Sequence, residues 1–567
     1  MPDKVNPHLV YEPERVWENY HQNVSFKTKR YYDVWNFWDD NSSPATRKWE
    51  PGLQALQKII QDAETTGSTI TRVRALGGGW SLSRSAETCG FLANTKPLNI
   101  IQVGIQPEHC AISFLNGDSG GRKPGNAGEL VFAQCGASIA ELNCELENRG
   151  LSLPTSGASN GQTICGAMST STHGSAYQLE CGGGVQDYVT GIHIVGPGGE
   201  HSWIQRASTP YVNQSFCDFL GTDLIEDDDL FDAVRVSFGS FGIIHAVLLQ
   251  AVPIYLLERH VCPLPYEQVS QVLGRLENIP GLRLTDINGR IPNDLPYHFE
   301  VLLNPYALKF DRHGNLMEKK GSKAAYVRYM YQRQPDPGAF SPTGKLIGLK
   351  PENTTISNDA FAVIGKIANF AIDIGLAETA LKTGLDDQLQ PDNGKDKIGT
   401  ILTHGGTFDA SSIPGHSLSC ELGFSIEDVP EALKVIVGTM HKHPFASPPS
   451  LRYVRPSSAY LAFTKFAPYT CTIELPTENS QRSQEGFDHV WSALDAAGIP
   501  YTFHWGQCMR YEKTSAGSLK RLRKVFDNGN VGGRIDKWLA CRKKFLSTEK
   551  DRMTFANPML SRLGLAD

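Results

Sequence analysis

Residues 71–86 read TRVRALGGGWSLSRSA. A short β-like run leads into three consecutive glycines, and a tryptophan closes them. Bare peptide of this kind lets a ligand or another backbone approach closely, and its oriented N–H groups form an anion-binding concavity. The run lacks the Gly-Lys-Ser/Thr of a Walker loop and the spaced glycines of a dinucleotide fingerprint. By itself it fits either a phosphate cradle or a plain strand-to-turn connection.

A second stretch narrows the choice. Residues 152–176, SLPTSGASNGQTICGAMSTSTHGSA, carry Gly, Ser, Thr and Ala with almost no bulky side chains. Buried hydroxyls need partners, so such a segment is costly as ordinary core. It suits a polar cofactor threaded along it.

Together the two stretches resemble the FAD-binding domain of the vanillyl-alcohol oxidase and p-cresol methylhydroxylase (PCMH) superfamily, most closely its aldonolactone and alditol oxidase branch. There a Gly-x-Gly-His-Ser loop is followed by a Gly-x-x-x-x-x-Thr-x-Ala-Gly segment running into Thr-His-Gly-Ser-Gly. Here these correspond to Gly77–Ser81, then Gly157, Thr163, Cys165 and Gly166, then Thr172, His173, Gly174 and Ser175. The hairpin DYVTGIHIVGPGGE and the turn SFGSFGII look like later parts of the same domain. The resemblance covers most of residues 50–255.

It implies an α+β fold: a two-domain PCMH-type FAD-binding architecture with an α+β substrate (cap) domain built on an antiparallel sheet. The implied limits are 1–255 for the FAD domain, with an N-terminal extension over 1–50, then 256–510 for the cap, and 511–567 returning to the FAD domain. The implied FAD-binding residues are Gly77, Gly78, Gly79, Trp80 and Ser81, then Ser156, Gly161, Thr163, Gly166, Ala167, Ser169, Thr170, Thr172, His173 and Gly174. Gly242 and Ile243 complete the set. Many relatives carry at position 80 a histidine bonded covalently to the flavin. An indole cannot make that link, so FAD is expected to be non-covalent. In the family the residue matching Gly166 lies against the reactive edge of the flavin, and a small one leaves room for dioxygen.

The length of 567 residues exceeds the roughly 250–300 at which one core stops growing. A net charge of −6 and the lack of a basic stripe interleaved with aromatics exclude a nucleic-acid binder. The first residues have no apolar run, and the longest apolar stretch, residues 361–381, is broken by Lys366, Asp373 and Glu378. It reads as an amphipathic helix rather than a span. Twelve cysteines without paired spacing indicate reduced thiols in a cytoplasmic protein. No metal-ligand spacing appears; DNGKDK near Asp392 lacks the later acidic ligand of a calcium loop. KRLRK at 520–524 reads as the solvated face of a helix.

Local patterns predict a surface-wrapping segment over 1–50, a helix over GLQALQKIIQDAETTG, and a strand at Val131–Cys135 followed by a helix. VTGIHIVGPGGEH reads as a hairpin, and VRVSFGSFGIIHAVLLQAVPIY as two strands around a glycine turn. Beyond residue 255 alternating runs such as SLSCELGFSI, LRYV and TCTIEL indicate an antiparallel sheet.

The catalytic candidates come from that second half. Glu474 sits inside the apolar run CTIEL, where a carboxylate is expensive unless it is paired or faces a site. Arg452 lies across a hairpin from it. By the resemblance, this hairpin contributes a Glu-x-Arg pair, but Ser450 stands where the glutamate is expected. His504 and Gln507 fall in HWGQ, which is similar to the family's His-Trp-Gly-Lys with glutamine replacing lysine. These replacements put a simple alditol or lactone substrate in question. The expected activity is oxidation of a CH–OH group of a small-molecule alcohol, with dioxygen reduced to hydrogen peroxide. A bulky sterol-like substrate (type II cholesterol oxidases share the architecture), a non-oxygen acceptor, and an eroded flavin-binding protein stand as alternatives.

Overall fold

The computed structural model describes residues 9–36, 48–66, 70–117, 123–336, 338, 356–357, 369–388, 398–401, 408–409, 416–510 and 518–567. The DNGKDK stretch, residues 361–368 of the apolar run and most of the proline-rich segment lie outside these residues.

The first half is built on two sheets. The smaller contains β1 (Leu9–Pro13), β2 (Arg30–Val34), β3 (Val73–Leu76) and β4 (Phe91–Asn94), in the order β1-β2-β4-β3. Helix α1 (Glu50–Thr65) precedes β3 and has Pro51 in its first turn, where a missing N–H costs nothing. Leu53, Leu56, Ile59, Ile60 and Ala63 recur at helical spacing and are buried. The larger sheet runs β9-β8-β7-β10-β6-β5, where β5 is Ile101–Val103, β6 Leu130–Gln134, β7 Val189–Val195, β8 His201–Gln205, β9 Asp223–Glu226 and β10 Ile243–Gln250. The expected hairpin is β7–β8. Between β6 and β7 lie α2 (Ile139–Glu147) and α3 (Ile164–Ser169). A capping box fixes the start of α2, with Ser138 Oγ accepting from Glu141 N and Glu141 Oε2 accepting from Ser138 N.

Three local expectations are corrected. The first half of VRVSFGSFGIIHAVLLQ is not a strand: α4 (Asp228–Arg235) runs into it, capped by Asp227, whose side chain accepts from Leu230 N at 2.9 Å. Two further aspartates in its first turn favour the helix over the β-branched residues behind them. The N-terminal extension does more than wrap the surface, because β1 and β2 are members of the smaller sheet and Tyr31, Tyr32 and Val34 are buried. The described part of the apolar run is not one helix. Helical residues 369–373 stop at Gly375, which has φ +76°, and α5 (Ala377–Gln388) starts afresh.

The second half holds an eight-stranded, wholly antiparallel sheet in the order β14-β11-β13-β12-β16-β17-β15-β18. Its strands are β11 (Leu256–Leu264), β12 (His298–Leu303), β13 (Ala325–Arg333), β14 (Ile398–Gly399), β15 (Ser417–Ser425), β16 (Ser450–Val454), β17 (Thr470–Glu478) and β18 (Thr502–Phe503). Helices α6 (Val429–Lys442) and α7 (Gln481–Ala497) pack against each other beside it. The KRLRK run lies on α8 (Ser518–Asp527), with Lys520 and Lys524 exposed. The last residues fold back on the first half. In α9 (Arg534–Phe545), Trp538 Nε1 donates to Ala233 O at 3.0 Å and Arg542 Nε to Ser240 O at 3.1 Å. Farther on, Asn557 Nδ2 donates to Ser85 O at 2.7 Å.

Inside the larger sheet three imidazoles form a chain. His245 Nδ1 meets His193 Nδ1 at 3.0 Å, and His193 Nε2 meets His201 Nδ1 at 2.9 Å. Gln134 Nε2 lies 3.0 Å from His245 Nε2. Each neutral ring donates once and accepts once, so the chain is satisfied with all three uncharged. Burial depresses His245 from 6.5 to about 3 and holds His193 well below its ordinary value. The native state therefore binds fewer protons than the unfolded chain. The stability this secures is present above about pH 6.5 and is lost as the pH falls toward the folded values. His245→Asn should take up about one proton fewer on unfolding near pH 5, seen as a shallower fall of melting temperature with acid. An unchanged slope would contradict the neutral chain.

Candidate active site

One cavity opens between the two halves. One wall is the glycine loop with α3 and the segment leading to His173; the other is β15, β16, β17 and HWGQ. The loop's glycines first serve the chain itself. A Cβ on Gly77 would sit 2.0 Å from Thr163 Oγ1, and one on Gly78 would sit 2.8 Å from Gly161 O. The two low-bulk stretches thus lie directly against each other, which only bare peptide allows. Gly79 is needed for its φ of +69°. Trp80 stacks on Tyr20, with ring centroids 4.3 Å apart, and covers Gly161; His21 meets it edge-on.

Most of the residues singled out in the sequence border this cavity: Gly77 to Ser81, then Thr163, Gly166, Ala167, Ser169, Thr170, Thr172 and His173, together with Gly242 and all four catalytic candidates. Ser156, Gly161, Gly174 and Ile243 do not. Gly161 lies under the indole, and Gly174 packs on Thr155, where a Cβ would come within 2.0 Å of Oγ1. Buried Ser156 lies beside that contact, its carbonyl 2.6 Å from the same Cβ. Ile243 begins β10, and strand alternation hands the cavity face to Ile244.

The cap wall centres on Arg452. Register places Glu300 opposite Arg452, and Glu474 opposite both Ser450 and Glu421. Arg452 Nε donates to Glu300 Oε1 at 3.0 Å and Nη1 to Glu474 Oε2 at 2.7 Å; Nη1 lies 3.6 Å from Glu421 Oε1. Arg328 Nη2 holds the other oxygen of Glu300 at 2.8 Å. Ser450 Oγ donates to Glu300 Oε1 at 2.6 Å, so the serine where a glutamate was expected binds a carboxylate supplied by the neighbouring strand. Ser419 Oγ donates to Glu474 Oε1 at 2.9 Å, and Gln507 Nε2 lies 3.2 Å from both Glu421 and Glu474.

Glu421 and Glu300 escaped the sequence reading, although each is a carboxylate in an apolar strand, CELGF and HFEVL, the very signal that exposed Glu474. Glu421 Oε1 meets His173 Nε2 at 3.0 Å, and His173 Nδ1 faces Gly174 O at 2.9 Å. Both ring nitrogens therefore face acceptors. Ring and carboxylate share one proton, whichever atom carries it. Burial pushes the Glu421 carboxyl up, but His173, His504 and Arg452 outweigh it and hold the group far below the usual carboxylate range. His504 Nδ1 accepts from Gly506 N at 3.0 Å, which leaves Nε2 as the protonated nitrogen. Burial above all keeps this ring neutral, with a pKa near 4.

The residues fit a large polar cofactor. Buried polar atoms without partners recur along the cavity wall, at Gln162 Oε1, Thr172 Oγ1, Gln507 Oε1 and Arg74 Nε. Native proteins rarely leave such groups unsatisfied, so the wall is built for a ligand with donors and acceptors of its own. Leu82 N donates to Gly506 O at 2.8 Å, tying the glycine loop to HWGQ. Two thiols, Cys135 and Cys165, also face the cavity, and all twelve cysteines are free. Among the described residues there is no cluster suited to a metal and no helix long and apolar enough to cross a membrane.

Removing Arg452 would leave buried Glu474 without a charged partner and take one of two from Glu300 and from Glu421. Arg452→Met should cost about 3–5 kcal/mol of stability, measured by denaturant unfolding. Adding Glu474→Gln should recover part of that loss, whereas strictly additive losses would argue against coupling.

Comparison with known proteins supports the same assignment. A family model described as an FAD binding domain matches residues 53–205. L-gulono-1,4-lactone dehydrogenase of Mycobacterium tuberculosis (strain ATCC 25618 / H37Rv) is 23% identical over 508 residues, covering 89% of this chain and 96% of that protein. D-arabinono-1,4-lactone oxidase of Debaryomyces hansenii is 28% identical over 210 residues, 36% of this chain and 31% of its own. In solved structures the fold matches cholesterol oxidase from B. sterolicum with a TM-score of 0.65 and 13% identity, over 99% of each chain. Residues 53–205 thus match an FAD-binding domain, and the chain is an FAD-dependent oxidoreductase.

Proposed function

We propose that the protein oxidises a CH–OH group of a small polyhydroxylated alcohol or lactone, with FAD held non-covalently and dioxygen taking the electrons. One observation carries this reading. The wall facing the cofactor segments carries six hydrogen-bonding side chains, Glu421, Glu474, Arg452, Gln507, Ser419 and His504, with Leu418 and Pro476 beside them. Such a wall suits a substrate rich in hydroxyls and disfavours a sterol. The lactone-oxidising relatives support the same substrate class.

The division of labour follows the three chain regions: 1–255 as FAD domain, 256–510 as cap, 511–567 returning to the first. Gly77–Ser81, Thr163, Gly166, Ala167, Ser169, Thr170, Thr172, His173 and Gly242 would hold the cofactor. When bound, FAD supplies the two-electron acceptor for the carbinol carbon. Glu474 takes the hydroxyl proton. Of its four lone-pair sites, Arg452, Ser419 and Gln507 occupy three, leaving one on Oε2 for the substrate. His504 offers an Nε2–H donor, and the unpartnered Gln507 Oε1 accepts from a second substrate hydroxyl. Arg452 lies beside the reacting centre with its charge matched by Glu474 and Glu300, and the proton between His173 and Glu421 leaves that pair neutral overall.

Trp80 cannot form the covalent bond its histidine counterparts make. Gly166 bears on the acceptor, since the nearest atom to a Cβ there is Thr163 Oγ1 at 3.1 Å, leaving space beside it. A protein or quinone acceptor is the second reading, favoured by the dehydrogenase that matches nearly end to end. Free thiols throughout suit a cytoplasmic protein.

Anaerobic mixing with aldonolactones, polyols and a sterol should bleach the flavin only with the hydroxyl-rich compounds, and air should then yield one peroxide per turnover. Bleaching without peroxide would leave the substrate assignment standing and remove dioxygen. Glu474→Gln should slow bleaching by about 10²-fold or more while leaving the visible spectrum in place. Acid precipitation should release yellow FAD into the supernatant; colour kept in the pellet would refute the non-covalent assignment.

A further inference from the structure

Arg74 is the second residue of β3, just ahead of the glycine loop, lies in the cavity wall and is only 3% exposed. Its Nη1 donates to Gly239 O at 3.0 Å and Phe555 O at 3.1 Å; its Nη2 donates to Ser85 O at 2.7 Å and to Phe238 O. All four acceptors are neutral carbonyls, and Nε has no partner. Three other buried arginines meet carboxylates: Arg452 and Arg328 meet Glu300, and Arg235 meets Asp232 and Asp187; buried Arg542, like Arg74, donates to backbone carbonyls, those of Ser240, Ala566 and Arg552. The charge acting on Arg74 is instead a second cation, Arg542, on the far side of the same turn. Burial, and then Arg542, push the guanidinium down to about 9.

An unpaired cation buried in this way is strongly unfavourable. The side chain nevertheless sits in a fully built socket made from three chain regions: the loop at Ser85, the turn at Phe238 and Gly239, and the C-terminal segment at Phe555. FAD carries its formal negative charge on the diphosphate. The glutamate cluster makes the cap wall no place for an anion, whereas the glycine loop and Arg74 share the opposite wall.

The geometry points to Arg74 as the buried countercharge of the FAD diphosphate, and as the joint through which cofactor binding fastens the C-terminal segment. This rests on FAD being the cofactor. Neutralising the guanidinium from the cavity side lets its hydrogen bonds to Phe238, Gly239 and Phe555 persist without an uncompensated charge. Occupied cofactor and docked C-terminus should therefore stabilise one another.

The test uses apoprotein prepared from the holoenzyme, with inorganic pyrophosphate and FAD as probes. Pyrophosphate should raise the melting temperature of the wild-type apoprotein above that in chloride of equal ionic strength, and should slow hydrogen exchange at residues 553–557. Arg74→Met should lose the pyrophosphate shift and bind FAD at least about tenfold more weakly, with Arg74→Lys in between. FAD affinity within about twofold of wild type, or an equal pyrophosphate shift in Arg74→Met, overturns the proposal. So does a wild-type apoprotein indifferent to pyrophosphate, a result that stands even if no variant folds. Wild-type protein that fails to bind FAD would instead refute the cofactor itself.

Discussion

Arg452 is the constraint on which the cap side of the molecule turns. Three carboxylates from three strands converge on one guanidinium, and two of them, Glu421 and Glu474, lie directly opposite each other in the sheet. Like charges facing across an antiparallel pair repel, and buried ones do so in a medium that screens little. Only a cation able to reach several of them makes the register tolerable. A planar guanidinium with five donors does this where a lysine would not. The same requirement fixes the position of this wall of the cavity, because the strands that carry the carboxylates must stay in register for the guanidinium to reach them all.

The other side of the cavity is fixed by absence of bulk. Gly77 and Gly78 bring the loop against Thr163 and Gly161, so this wall is itself a packed interface between two parts of the chain. HWGQ then closes on both, with Leu82 and Ser81 bonded to Gly506 O and Thr170 near Gly506. The two walls of the cavity are thus held together by shared contacts with the backbone of Gly506.

How much of this was legible depended on the kind of signal. The glycine loop and the segment at 152–176 betray themselves because low bulk over many residues has few structural uses. Glu474 could be found because a carboxylate in an apolar strand demands an explanation, and Arg452 because it lay one hairpin away. Glu300 and Glu421 carry the same signal but pair with residues 152 and 248 positions distant, and no pattern in one sequence reports such separations. The strand expected at Val234–Ser237 failed because three aspartates upstream nucleated a helix that overran it. Ile243 failed by one residue, the smallest error that moves a strand side chain to the opposite face. The N-terminal segment was read by its polarity, yet its tyrosines are half hydrocarbon and pack into a sheet.

The two sulfurs in the cavity wall have a bearing on endurance. Burial raises Cys135 to about 12 and Cys165 well above its ordinary value. Attack on an oxidant needs the thiolate, and at neutral pH neither group supplies it in useful amount. The sulfur in the cavity wall is thus kept in the form that oxidants attack least, so oxidation would begin with thiols at the surface, such as Cys89 and Cys144, and leave the cavity intact.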